Sequence, residues 1–291
     1  MNSLTKEITI TIVLFQENFL SVSRCLENLK SFKIIIVDNA GDYELKEKIE
    51  AKFDIYKYIV NDKNSGFSKG ANQAIKLSDT EYILNIESDC IIKENDILTL
   101  LESIKKYKNC LIVTPTFYDD DLTFSYNGGP LPEKKLDMKP ILLEGDMCVE
   151  SCSTAAILFK KSDFLEIGLF DEDLFIYFPD FEIGRRIKES KKAIIQIFNT
   201  KSYHVHGELK VRNFLKRIFF RNYYFTLDEL VYFNKKNNHH KKFNELRKKI
   251  PKYFIKLITN LFCLRIDKCV YYISRILAYY NFKKLKVDWV E

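Results

Sequence analysis

No Cys-x-x-Cys pair occurs in this sequence, although seven cysteines are scattered along it as Cys25, Cys90, Cys110, Cys148, Cys152, Cys263 and Cys269. A chain of 291 residues is too long to need covalent staples, so these read as free thiols in a reducing compartment. No positively charged segment followed by an apolar core opens the chain, and no signal peptide is expected. No uninterrupted apolar run reaches about 18 residues, so nothing reads as a bilayer span. Internal repeats and low-complexity tracts are missing as well. What is present is 46% apolar residues with 14% aromatics, enough to bury a real core, which excludes a disordered or fibrous chain. A cytoplasmic globular protein of one large or two small domains is expected.

The net charge of +6 hides an asymmetry. Residues 208–291 hold 20 basic and 7 acidic side chains, a net of +13, which leaves −7 for residues 1–207. Two regions with different tasks are expected, 1–207 and 208–291.

The first region alternates strand-like and helix-like segments. Strands are read at Ile8–Phe15, Lys33–Asn39, Ile55–Val60, Glu81–Ile86 and over "CLIVTP", with helical patterns between them. Continuous apolar strands separated by helices predict a mostly parallel α/β sheet covered on both faces. Residues 116–147 read as a surface excursion or hairpin, and "VESCSTAAILFKK" as one further strand. "AIIQIF" is another strand, with "YHVHG" after it. From Leu209 onward the pattern is helical, with basic and aromatic residues interleaved.

Within this frame "LNIESDC" poses a question. Glu87 and Asp89 end an apolar strand, and a buried charge costs several kcal/mol unless paired or bound to a cation. Asp38 and Asn39 also fall at a strand's carboxyl end, where open α/β sheets bind ligands. In "NSGFSKGAN", Gly66 lets backbone approach a ligand, Gly70 lets the following helix pack closely, and the helix start offers N–H groups to an anionic phosphate. A plain helix-opening turn is the competing reading. It is not the dinucleotide Gly-x-Gly-x-x-Gly pattern.

Taken in order, "VDNAG", "NSGFSKGAN", "ESD", "GLFDEDLFIYFPDFEIGRR" and "FLKRIFFRNYYF" resemble the glycosyltransferase family 2 proteins. These are inverting nucleotide-sugar transferases of the GT-A fold, and the likeness is to rhamnosyltransferase-type enzymes of bacterial surface polysaccharide assembly. The resemblance covers about residues 8–225. It implies a GT-A domain, Rossmann-like with a mostly parallel central sheet, and a C-terminal helical appendage. The enzyme would be a metal-dependent hexosyltransferase using a UDP- or dTDP-sugar donor and a glycan or lipid-linked oligosaccharide acceptor.

The resemblance also implies roles. Asp38 accepts the base imide N–H, a bond strengthened by charge, and Asn39, Asn64, Gly66, Gly70 and Asn72 surround the nucleotide. Asp89, with Glu87 as a looser match, stands where the family places a triplet that binds Mg2+ or Mn2+ on the donor diphosphate. Asp180 maps to the general base, Glu182 and Arg186 to the acidic and arginine positions after it. His204 or His206 completes the metal or diphosphate site. Two departures stand out: Pro179 replaces a glutamate beside the base, and Thr154 replaces a glycine and narrows the sugar pocket. They motivate a rival, a sugar-nucleotide-binding protein of the same fold without catalysis. A nucleotidyltransferase is disfavoured by the missing Gly-rich, Arg/Lys-containing N-terminal loop.

The tail "KKIPKYFIKLITNLFCLRI" reads as a helix lying on an anionic membrane surface, such as the cytoplasmic face of the inner membrane. A helical cap or homodimer contact is its rival. No nucleic-acid-binding motif is present, so no nucleic acid is expected as a partner.

Overall fold

The computed structural model describes residues 3–119, 124–125, 128–133, 144–204, 213–235 and 240–283. His206, singled out in the sequence, lies outside them. The strands are β1 (Ile8–Leu14), β2 (Lys33–Asp38), β3 (Lys57–Val60), β4 (Tyr82–Ile86), β5 (Cys90–Ile92), β6 (Cys110–Tyr118), β7 (Phe124–Ser125), β8 (Gly128–Gly129), β9 (Met147–Val149), β10 (Ser151–Cys152), β11 (Ala156–Lys160) and β12 (Ala193–His204). The helices are α1 (Phe19–Leu26), α2 (Tyr43–Glu50), α3 (Phe67–Leu77), α4 (Glu94–Lys106), α5 (Lys161–Glu166), α6 (Pro179–Glu189), α7 (Phe214–Asn234), α8 (His240–Arg247), α9 (Ile250–Phe262) and α10 (Ile266–Phe282).

The main sheet runs β3-β2-β1-β4-β11-β6-β12-β5. Its first four strands are parallel, as βα repeats require, because a helix returns the chain to the same edge each time. Beyond β4 the sheet is mixed: β11 pairs antiparallel with β4 and β6, and β12 parallel with β6 but antiparallel with β5. Alternation sorts side chains onto two faces. Leu84 and Leu158 join the core formed with Ile10, Ile12, Leu26 and Leu100. Their neighbours Ile83, Ile157 and Phe159 join the opposite core with Ala71, Phe164, Phe170 and Ile183.

Two segments differ from their sequence reading. "VESCSTAAILFKK" is not one strand, because Cys152 pairs with β8 while Ala156 pairs with β4, and a turn at 153–155 separates them. Conversely "AIIQIF" does not end its strand: β12 continues through Tyr203 to His204 past an irregularity between Ile197 and Lys201. That extension positions a site residue.

The chain divides into two compact units, Met1–Asp171 with Pro179–Glu208, and Glu172–Phe178 with Leu209–Glu291. Residues 172–178 group with the helices for a physical reason. The Asp228 carboxylate accepts the backbone N–H groups of Phe175, Ile176 and Tyr177 at 3.0, 2.9 and 2.8 Å. Phe175 also stacks on Tyr224 with ring centroids 3.9 Å apart. No described helix is long and apolar enough to cross a membrane.

Candidate active site

The carboxyl ends of β1 and β2 carry the first group of expected residues. Asp38 is fully buried; its Oδ1 accepts the Ala40 N–H at 2.6 Å and its Oδ2 the Tyr58 hydroxyl at 3.3 Å. Burial pushes its pKa up against the opposing pull of the Ala40 amide. Asn39 donates to the Gly66 carbonyl and accepts from Asn61 and Ser65. Asn64 Oδ1 accepts the Gly66 N–H. Gly66 opens α3 at φ +85°, a conformation that suits a residue without Cβ. A Cβ on Gly70 would sit 2.9 Å from Val13 Cγ1, so α3 lies tight on β1. These residues build the floor of the site. The loops directly after β1 and β2 line a cavity of about 530 Å³, formed by Gln16, Glu17 and residues 40–44. Gln16 and Glu17 were not singled out in the sequence, though they directly follow the β1 apolar run and so obey the same strand-end rule.

Asn72 reaches a distant loop instead. Its amide donates to the Phe170 carbonyl at 2.8 Å and accepts the Phe170 N–H at 3.0 Å. The same loop is held from its other side by Arg186, whose Nη1 donates to the Ile167 carbonyl and Nη2 to the Leu169 carbonyl at 2.6 Å. Gly168 and Leu169 have φ of +95° and +63°, so the guanidinium secures left-handed backbone that leucine alone disfavours. Glu182, 2% exposed, receives Arg186 Nε at 2.8 Å and Nη2 at 2.6 Å, and Arg185 at 3.1 Å. The expectation of substrate contact meets a different geometry here. Glu182 and Arg186 form an inward ion pair whose donors and acceptors are used within the fold, and they position the 167–170 loop.

The answer to the Glu87–Asp89 question lies where β5 meets the end of β12. Register places His204 opposite Cys90, and its Nε2 lies 3.3 Å from Asp89 Oδ1 and 3.7 Å from Glu87 Oε2. Phe117 meets the imidazole edge-on at 6.1 Å, fixing its orientation. Burial pulls the His204 pKa down, but the Asp89 hydrogen bond and the charges of Asp89 and Glu87 outweigh it, so the net shift is upward. Glu87 is pushed up by burial and by Asp89, with His204 opposing and Asp180 adding to the rise. The Glu87 side chain keeps 40% of its surface open and Asp89 22%, so an ion has access. Thr154 stands beside the triplet: its carbonyl accepts from Asn85 Nδ2, and Ala155 accepts the Glu87 N–H.

Asp89, Cys90 and His204 bring one donor atom each to within 4.8 Å of one another. Cys90 is an unsuitable ligand for a hard cation, since burial pushes its thiol well above the usual range and keeps it protonated. Asp89 and His204 remain, and with Glu87 Oε2 3.7 Å from the imidazole they offer a donor set that fits a divalent cation preferring oxygen.

Asp180 sits in the first turn of α6, directly after Pro179, whose fixed φ and missing N–H suit the first helical position. The glutamate-to-proline departure therefore starts the helix cleanly. The Asp180 carboxyl is pushed up to about 6 by burial, against the lowering effect of the first-turn amides.

Known proteins share this fold and part of this sequence. The model of the family described as Glycosyl transferase family 2 matches residues 9–164. The dTDP-rhamnosyl transferase RfbF of Shigella flexneri is 26% identical over 219 residues, 73% of this chain and 72% of the relative. Rhamnosyltransferase WbbL of Escherichia coli K12 is 25% identical over 195 residues, 57% of this chain and 71% of the relative. Among solved structures, GalNAc-T7 with UDP, GalNAc and Mn2+ superposes with a TM-score of 0.59 at 13% identity, over 85% of this chain and 55% of that one. The mannosyltransferase PcManGT of Pyrobaculum calidifontis, in complex with GDP-Man and Mn2+, gives 0.57 at 10% identity, over 97% and 88%. At such identities the two structures bear on the fold alone, and the fold is GT-A. The family match runs over more than half of the 291 residues, and the chain belongs to glycosyl transferase family 2 as a glycosyltransferase.

Proposed function

We propose that this glycosyltransferase moves a sugar from a dTDP- or UDP-linked donor to a hydroxyl of a growing surface glycan, with inversion at the anomeric carbon. The observation that carries the reading is the meeting of Glu87, Asp89 and His204 beyond β4, close enough to Asp180 for its charge to raise Glu87. The relatives, a dTDP-rhamnosyl transferase and a rhamnosyltransferase, favour a dTDP-deoxyhexose. The cavity over Ala40–Glu44 offers room for the base. Seven free cysteines suit a reducing compartment, the cytoplasm.

The reaction is read as a single displacement. Asp180, ionised, removes the acceptor hydroxyl proton as that oxygen attacks the anomeric carbon. The bond from that carbon to the diphosphate oxygen breaks, its electron pair leaves with the nucleotide, and the attack comes from the opposite face. Asp89 and His204, with Glu87 beside them, would hold Mg2+ or Mn2+. Bound there, the cation supplies neutralisation of the departing diphosphate. Thr154, at the turn against Glu87, borders the sugar position.

An Asp89→Asn variant tests this arrangement without touching Asp180. Thermal stabilisation by a dTDP- or UDP-sugar should grow with added Mn2+ in the wild type, because a ligand that binds the folded state raises the midpoint. In the variant the Mn2+-dependent part of that stabilisation should vanish while the ligand-free midpoint stays. An unchanged Mn2+ response would remove Asp89 from the metal site.

A further inference from the structure

We propose that the outward face of α9 and the turn after it form a docking surface for an anionic lipid bilayer, independently of how the transfer site is read. No residue of α9 is buried. One side faces α10, where Tyr253 meets Tyr272 and Tyr279 at 6.0 and 6.4 Å and accepts a bond from Arg275. The remaining exposure is not polar. Phe254, Ile255, Ile258, Leu261 and Phe262 are all exposed, spaced i, i+1, i+4, i+7 and i+8, which places them on one face of the helix.

The turn after α9 extends the same surface. The N–H of Leu264 bonds to the Leu261 carbonyl at 3.1 Å and that of Arg265 to Asn260 at 3.0 Å, the double bond pattern of a helix end that places the intervening residue in the left-handed region. Glycine usually fills that position. Here Leu264 does, at φ +53°, with 84% of its surface exposed, and exposed Ile266 follows two residues later. The chain accepts backbone strain to present a leucine to the surroundings, which folding alone does not require.

Charge decides the occupant. Residues 247–266 carry six basic side chains, Arg247, Lys248, Lys249, Lys252, Lys256 and Arg265, and no acidic one. Two copies apposed through this face would bring like charges together, which disfavours a self-interface. An apolar stripe bordered by cations and free of carboxylates suits acyl chains beneath anionic headgroups. The structure also sorts the aromatic residues of the tail. Tyr253 and Tyr272 belong to the α9–α10 contact, so Phe254 and Phe262 are the ones free to insert.

The test is flotation of the full chain with vesicles of phosphatidylcholine alone and of phosphatidylcholine with phosphatidylglycerol. The intact chain should partition about tenfold or more in favour of the anionic vesicles, in line with several basic side chains near the surface. The double variant I258E/F262E should lose about tenfold in partition with its melting midpoint unchanged, since both positions are already solvent-exposed. Leu264→Gly is the discriminating arm: it relieves strain, so the midpoint should rise while partition falls. If the double variant fails to fold, this arm alone decides. Equal partition on both vesicle types, or unchanged partition in Leu264→Gly, would overturn the proposal. So would a dimer in light scattering that I258E/F262E splits, which would assign the face to a second copy.

Discussion

An Asp180→Asn enzyme should bind its donor as before and transfer it about 100-fold more slowly or worse, the usual scale for losing a positioned base. The acid limb of the wild-type kcat/KM profile should reflect an apparent pKa near 6, the value to which burial pushes this carboxyl, and the limb should be absent from the variant's residual rate. Stability should move the opposite way. A raised folded-state pKa means the native carboxyl holds its proton more tightly than the unfolded one. Its contribution is therefore present below the ordinary value near 3.8 and lost as pH rises through about 6. At pH 7–8 the ionised carboxylate is a net cost, on the order of 1–2 kcal/mol after discounting for its partial solvent exposure. Asp180→Asn removes that cost, so its thermal midpoint at pH 7.5 should exceed the wild type's, and the gap should close by pH 4. A variant that is slow and also less stable at pH 7.5 would show Asp180 acting as structural support.

Arg186→Met should produce the largest loss of stability. The substitution strands the buried Glu182 carboxylate with only Arg185 and frees the carbonyls of Ile167 and Leu169, which flank the left-handed Gly168–Leu169 backbone. Breaking one half of a buried pair costs about 3–5 kcal/mol. For a unit of this size that lowers the midpoint by roughly 6–20 °C. The double variant Glu182→Met/Arg186→Met should recover much of the loss, because no uncompensated charge remains. Thermal melts of the two variants and the wild type check this. If the single variant melts like the wild type, the ion pair is dispensable and the 167–170 loop is held by Asn72 alone.

The parts of the fold that could be read from sequence are those specified by local pattern. The apolar runs of β1, β2 and β4 and the helices between them gave the parallel half of the sheet. Pairing of β11 and β12 was not legible, because an antiparallel partner such as β6 for β11 or β5 for β12 leaves no periodic mark of its own. For the same reason His204 and His206 could not be separated. The place of His204 rests on the register that sets it against Cys90, a long-range pairing.

The site shows a second limit. Residue types at Asp38, Asn39, Asn72, Glu182 and Arg186 were evident, but not which way each side chain is satisfied. Asn72 finds Phe170 across 98 residues, and Asp38 finds Tyr58 across 20. Such partners are set by long-range packing, which local sequence does not encode. Glu87 and Asp89 differ, since they meet His204 yet keep part of their surface open.

The stereochemistry of transfer tests the account most directly. The purified chain, given its donor and Mn2+, should be followed by the anomeric proton signal of the first-formed product, before mutarotation. Single displacement with Asp180 as base predicts a product whose anomeric configuration is opposite to the donor's, formed in the wild type and slowed about 100-fold or more in Asp180→Asn. A product that retains the donor's configuration, or one formed equally fast without the Asp180 carboxylate, would contradict it.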